Sequence, residues 1–311
     1  MKRHQTLLSM LALSVVAIGA LVTSAPTVLA QEEIQKIVYG RGTGEFDLPR
    51  QNEIFIMDAD GSDVVQLTEN SREDAFPVLS PDGTRIAFSR RIRGQMDLFV
   101  MNANGSNVSR VMRTGNADEV LPSWSPDGKK LAFTATFSTP DGWQSDIYRI
   151  RVSDGRFRRL TYTPAIKEFA PDWSPDGTEI AFTKQNERQD RFGVAVVRPD
   201  TTGLRWLVIN PNSSSGYTDF NPSWSPDSEW IAFSREHGDD PFVDIYKIRR
   251  DGSEVTAVTE LNELAENPVW GTDGRIIFMH NEGIAVVPSD GGEVTHLTPT
   301  MTGLPHWWPD W

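Results

Sequence analysis

The chain contains no cysteine in its 311 residues. Disulfides, thiol catalysis and thiolate metal sites are therefore excluded, and stability has to come from packing. Histidine is scarce, with five residues. Positive charge is also short: 30 Lys and Arg face 43 Asp and Glu, for a formal net charge of −13. Such a balance is ill suited to a phosphate backbone, so nucleic acid is not an expected partner. Long apolar runs are missing too, apart from Leu7 to Val22 near the N-terminus.

That one run has a recognisable setting. Lys2, Arg3 and His4 precede it, and Ala25-Pro26-Thr27-Val28-Leu29-Ala30 follows. A basic start, an apolar middle and a small-residue end make residues 1–30 read as a signal peptide, cleaved after Ala30. The run is short for a bilayer span, and a cysteine-linked lipid anchor is impossible. The expectation is a periplasmic or extracellular protein with no stable membrane insertion after cleavage. Cleavage removes Lys2 and Arg3 but no acid, which leaves 28 basic and 43 acidic side chains and a net charge of −15.

What the chain has in abundance is a repeat. Pro77-Val78-Leu79-Ser80-Pro81-Asp82-Gly83 and Pro122-Ser123-Trp124-Ser125-Pro126-Asp127-Gly128 are the first two copies. Copies three to five begin at Pro171, Pro222 and Pro268. The intervals between these prolines are 45, 49, 51 and 46 residues, which is propeller-blade spacing. Each copy continues into a strand typified by Ile86-Ala87-Phe88, then Asp97-Leu98-Phe99, then a strand ending in Leu-Thr or Val-Thr. A sixth copy is split. Pro309-Asp310-Trp311 supplies its first strand, and Ile37-Val38-Tyr39, Glu53-Ile54-Phe55-Ile56 and Val65-Gln66-Leu67-Thr68 supply the rest. The spacing predicts an all-β fold over 31–311: a six-bladed β-propeller of four-stranded antiparallel blades. Its ring is closed by the C-terminal strand pairing with the N-terminal strands.

The repeat resembles the WD40-like PD40 repeat of TolB-type propellers, a family that includes the periplasmic component of the Tol–Pal system. The resemblance covers residues 31–311. Leu79, Ser228, Gly271-Thr272 and the Gly193-Val194-Ala195 strand depart from the repeat without disturbing the fold. TolB proper carries an α/β domain before its propeller, and here the propeller follows the signal peptide almost directly. The resemblance therefore implies a TolB-like, non-catalytic protein-binding or scaffold module, acting as a monomer on a protein or peptide partner, with an envelope-associated one among the candidates.

The long, variable connections share one face, opposite the short Ser-Pro-Asp-Gly turns, and recognition is expected there. Three residues before each proline stand Asp74, Glu119, Glu168, Asp219, Ala265 with Glu266 beside it, and His306. This acidic ring at the channel mouth reads either as a binding site for a cation or basic segment, or as a repeated structural brace. Phe46, Phe137, Trp143 and Phe242 in the same loops are candidate contact anchors. Arg90, Arg91 and Arg93 read as a solvated loop face. Asp58-x-Asp60-Gly61-x-Asp63 has the spacing of a calcium loop but lacks its closing glutamate arrangement, so a hairpin turn is the better reading and no cofactor is expected, with calcium kept as a possibility. No catalytic residue is assigned. A metal-dependent hydrolase or lactonase using the acidic ring with Asn267 stays open. So does a carbohydrate-binding or lyase-type propeller using Trp143, Trp307 and Trp308. The four histidines outside residues 1–30, His237, His280, His296 and His306, are each expected in a different blade or connection, which argues against a histidine cluster.

Overall fold

A computed structural model describes residues 35–43, 51–112, 114–140, 142–164, 166–186, 191–208, 217–238, 242–281, 283–298 and 306–310. The expected signal peptide lies outside them. Ile34–Trp311 form one compact unit of six four-stranded sheets.

Blade 1 combines β1 (Lys36–Thr43), β2 (Gln51–Asp58) and β3 (Val65–Gln66) with β24 (His306–Asp310). Blade 2 is β4 (Asp74–Leu79), β5 (Arg85–Ile92), β6 (Gln95–Asn102) and β7 (Ser109–Arg110). Blade 3 is β8 (Ala117–Trp124), β9 (Lys130–Thr139), β10 (Gly142–Arg151) and β11 (Phe157–Arg159). Blade 4 runs β12 (Lys167–Trp173), β13 (Ile180–Asn186), β14 (Arg191–Val197), β15 (Arg205–Trp206). Blade 5 runs β16 (Tyr217–Trp224), β17 (Trp230–His237), β18 (Val243–Arg249), β19 (Thr256–Ala257). Blade 6 is β20 (Ala265–Trp270), β21 (Arg275–His280), β22 (Gly283–Pro288) and β23 (Thr295–His296). All neighbours pair antiparallel, and β24 pairs with β1 through Val38–Asp310 and Gly40–Trp307. The closure expected from the split sixth copy is present.

The repeat encodes burial on both faces of the second strand. Ile86, Ala87 and Phe88, and their counterparts Leu131-Ala132-Phe133, Ile180-Ala181-Phe182 and Ile231-Ala232-Phe233, are all fully buried. Consecutive apolar residues are what a strand needs when neighbouring blades cover both sides. Six apolar clusters result, each spanning two adjacent blades. The sixth joins Ile37, Tyr39 and Met57 of blade 1 to Ile277, Ile284 and Val286 of blade 6.

The Ser-Pro-Asp-Gly turn is a small hydrogen-bonded device. In the first copy the Ser80 hydroxyl donates to Asp82 Oδ1 at 2.6 Å and accepts from Arg85 N at 3.0 Å. Asp82 also accepts from Thr84 N at 3.1 Å, and these bonds hold its carboxyl down at about 2. Gly83 has φ +67, where an L side chain is strained. In the fourth turn Ser228 takes that conformation at φ 61. Its hydroxyl accepts from Asp176 N of the preceding blade at 3.0 Å, a bond glycine cannot make.

The Leu-Thr ending has a similar cause. The hydroxyls of Thr68, Thr161, Thr259 and Thr298 accept from the amides of Ile54, Ile147, Ile245 and Ile284 at 2.8–3.0 Å. A two- or three-residue outer strand leaves those amides beyond its ladder, and the threonine supplies the acceptor.

Candidate functional site

The proline of each repeat shapes the channel. The residue before it, Phe76, Leu121, Ala170, Asn221 or Asn267, has φ between 51 and 58, and each marks a register break in the innermost strand. Proline excludes its predecessor from the right-handed helical region, and a bulge leaves one residue unpaired. The amide so released is taken by the blade before: Ala170 N donates to Thr134 Oγ1 at 3.1 Å, Asn221 N to Thr183 Oγ1 at 2.9 Å and Asn267 N to Ser234 Oγ at 2.9 Å. The bulges, the prolines and the residues after them line a channel cavity of about 110 Å³.

The residue after the proline ties blades together. Ser123 Oγ accepts from Trp173 N and Ser223 Oγ accepts from Trp270 N, both at 3.0 Å. Blade 4 has Asp172 at this position. Its Oδ2 accepts from Trp224 N at 2.7 Å and its Oδ1 from Ser123 Oγ at 3.1 Å. Burial still dominates and pushes the carboxyl up to about 6.

The acidic ring is buried. Asp74, Glu119, Glu168 and Asp219 are each 0% exposed. Asp74 binds Arg90 through two bonds of 2.5 and 2.6 Å. Asp219 binds Arg235 in the same way at 2.6 and 2.9 Å. Glu168 accepts from Lys184 Nζ at 2.5 Å and from Thr163 Oγ1 at 2.7 Å. In each case the cation stands directly opposite the acid on the next strand. Blade 3 has Ala135 there, and Glu119 accepts instead from Thr114 N at 2.7 Å and Leu98 N at 3.3 Å. Burial raises the carboxyl pKa of Glu119 and of Asp219, against the pull of those donors. The geometry is that of a brace inside blades 2, 4 and 5 and of a tie from blade 3 back to blade 2, with the carboxylates turned away from solvent. Glu266 is half-buried, and burial, with Glu236 second, raises its pKa. His306 lies on the innermost strand β24; its side chain is outside the described residues.

The loop aromatics divide. Trp143 is 61% exposed. Phe137 is half-buried and packs on Tyr148 at 6.3 Å between ring centroids. Phe242 is half-buried, and Phe46 lies outside the described residues. Arg90 is buried against Asp74, while Arg91, paired with Glu73, and Arg93 stay exposed, so the expected solvated arginine face reduces to those two. At the candidate calcium loop, Asp58 pairs with Lys36 and Asp60 accepts from Ser62 N and Oγ at 2.9 and 2.6 Å, as a hairpin turn requires. The expectation that the histidines are dispersed is corrected. His280 on β21 and His296 on β23 stack in blade 6, with Nδ1 and Nε2 2.8 Å apart. The strands between them are so short that residues 16 apart become neighbours, which spacing along the chain hides.

A feature the sequence did not reveal lies where the channel widens on the long-loop face. Val120, Leu121, Phe169, Phe192 and Phe220, from blades 3 to 5, line a concavity of about 450 Å³ with Thr218, Asn221 and Glu236 at its polar points. Phe169 and Phe220 sit directly before the pre-proline residue, so the bulge that shapes the channel also aims them. Among the described residues, no helix is long and apolar enough to cross a membrane.

Comparison with known proteins adds family and fold. A TolB homolog from Chlorobaculum tepidum is 36% identical over 100 residues, 32% of this chain and 21% of that protein. Dipeptidyl-peptidase 5 from Porphyromonas endodontalis is 32% identical over 96 residues, 30% of this chain and 14% of that protein. The chain thus spans only a minor part of the curated relatives it matches. The crystal structure of TolB from Acinetobacter baumannii superposes with a TM-score of 0.69 at 17% identity, covering 89% of this chain and 66% of that one. The model of the PD40 family, the TolB beta propeller domain, matches residues 50–270, and the chain belongs to that family.

Proposed function

We propose that this propeller is a non-catalytic binding module that works in the periplasm or outside the cell and holds a protein or peptide segment in the phenylalanine-lined funnel. The observation that carries this reading is the funnel itself. Phe169, Phe192 and Phe220 are only half-buried yet share one concave surface of about 450 Å³. A rigid ring that presents clustered aromatics in a concavity fits an apolar anchor from a partner. The carboxylates that could have served a metal-dependent hydrolase are tied to Arg90, Lys184 and Arg235, which supports binding over hydrolysis. The TolB names among the relatives agree with a protein partner.

The test is comparative capture from a native envelope or secreted fraction, with wild type beside Phe169→Ser and Phe220→Ser. A partner held by the wild type should be lost from both variants, each of which removes contact worth about 1.5–3 kcal/mol. Equal capture by all three, at unchanged melting temperature, would overturn the reading.

A further inference from the structure

Away from the funnel, on the long-loop side of blade 2, three arginines from three separate segments border one concavity. Arg72 comes from the connection between β3 and β4, Arg93 from the β5–β6 turn and Arg110 from β7. With Ile92 and Gln95 they line a space of about 430 Å³. Gln95 is pinned by a 2.7 Å bond to Ala117 O. Arg110 is oriented by Asp97 and by a 3.2 Å bond to Met112 O.

Two observations set this pocket apart from ordinary surface charge. The chain is strongly acidic, at −13, and the neighbouring Arg90 and Arg91 are each matched to a carboxylate. Arg72 and Arg93 are exposed and form no ion pair among the described residues. Placing two unmatched guanidiniums beside the paired Arg110 costs self-repulsion that an acidic protein could have relieved locally. Arg93 also holds a left-handed backbone, φ 54, in front of Gly94 at φ 88. A turn with two positive φ values favours Asn-Gly. Arginine there is a local misfit of the kind that marks functional positions.

We propose that Arg72, Arg93 and Arg110 form a binding site for a tetrahedral oxyanion, a phosphate or sulfate group carried on a larger molecule. Guanidinium forks suit phosphate-type oxygens. Arg72 and Arg93 bring unpaired forks, and Arg110, already held by Asp97 and the Met112 carbonyl, adds its remaining N–H groups; donors from three segments match three terminal oxygens better than the two of a carboxylate. The space exceeds a bare ion and has room for an attached group of sugar size. The site is separate from the funnel and stands or falls independently of it.

Calorimetric titration of the whole chain at low salt tests it, using a hexose phosphate, the parent hexose and inorganic phosphate. Flotation with vesicles of phosphatidylcholine, with and without phosphatidic acid, covers a lipid source of the same group. The hexose phosphate should bind, the hexose should not, inorganic phosphate should compete, and added salt should weaken the complex. Vesicle binding confined to phosphatidic acid would assign the group to a lipid headgroup. Arg93→Asn fits the turn at least as well as arginine, so it should keep the melting temperature while weakening binding about tenfold or more. Arg72→Gln should do the same from a different segment. Absence of binding to every phosphate-bearing probe, or unchanged affinity in both variants, overturns the proposal.

Discussion

Trp224 donates its backbone N–H to Asp172 Oδ2 at 2.7 Å, across the boundary between blades 4 and 5. Where blades 3 and 5 use a serine hydroxyl for this bond, blade 4 uses a buried carboxyl raised to about 6. The unfolded chain would titrate this group near 3.9. Between about pH 4 and 6 the folded state therefore holds a proton that the unfolded state has lost. Stability from this group is full below about pH 4 and falls as pH rises to 6, by about 2–3 kcal/mol. Asp82 has the opposite sign. Its folded value of about 2 gives stability that is present above about pH 4 and lost as pH falls towards 2. Urea unfolding from pH 2 to 8 should show that Asp172→Asn flattens the pH 4–6 segment and leaves the acid limb unchanged. An unaltered pH 4–6 slope would refute the assignment.

The braces make a second prediction. Asp219→Ala leaves the Arg235 guanidinium without its bidentate partner in a largely buried setting and should cost about 3–5 kcal/mol. Arg235→Ala should cost a similar amount, and the double variant clearly less than the sum of the two. Denaturant midpoints for the four proteins close the cycle. Additive losses would mean the pair is not coupled.

Blade 3 tests whether the brace needs a cation. Ala135 stands opposite Glu119, whose carboxyl pKa is raised by burial. Placing lysine there copies the Glu168–Lys184 pair. Ala135→Lys combined with Glu119→Gln should be less stable than Ala135→Lys alone, because the new ammonium then has no carboxylate. Thermal melts of the two variants decide it.

The threonine that ends each outer strand should be more than a space-filler. Thr161→Val keeps the shape but leaves the buried Ile147 amide without its 3.0 Å acceptor, at a cost of about 1–3 kcal/mol. Trp143→Ala, at a 61% exposed position, should shift stability by no more than about 0.5 kcal/mol. Chemical denaturation of the pair gives the contrast.

Six blades and their closure were legible because the proline-to-proline period and the split copy are properties of the chain itself. The function of the acidic positions was legible only in part. Asp74, Glu168 and Asp219 stand out in sequence, but their meaning depends on register, which puts Arg90, Lys184 and Arg235 directly opposite. A clue was available: each of those cations follows the Ile-Ala-Phe strand by two residues, and the copy with Ala135 is the one whose acid finds backbone amides instead. The hydroxyls at Thr134, Thr183 and Ser234 follow the same phenylalanine, yet nothing local says that they bond to the next blade. The funnel was invisible, because Phe169, Phe192 and Phe220 converge only after left-handed bulges redirect the inner strands. The His280–His296 contact was hidden for a related reason: it reaches across β22, from β21 to β23, and depends on register that spacing along the chain does not show.

Ring closure through β24 and β1 has a consequence for synthesis. β1 ends at Thr43 and β24 begins at His306. At about 5–20 residues per second, the ribosome needs roughly tens of seconds to pass from one to the other. Throughout that interval the inner edge of β1 lacks its native neighbour, and an unpaired edge is a template for foreign strands. The β24 residues therefore decide whether the first strand is sealed or left adhesive. Any stall, truncation or slow export before His306 should appear as aggregation of an otherwise nearly complete propeller.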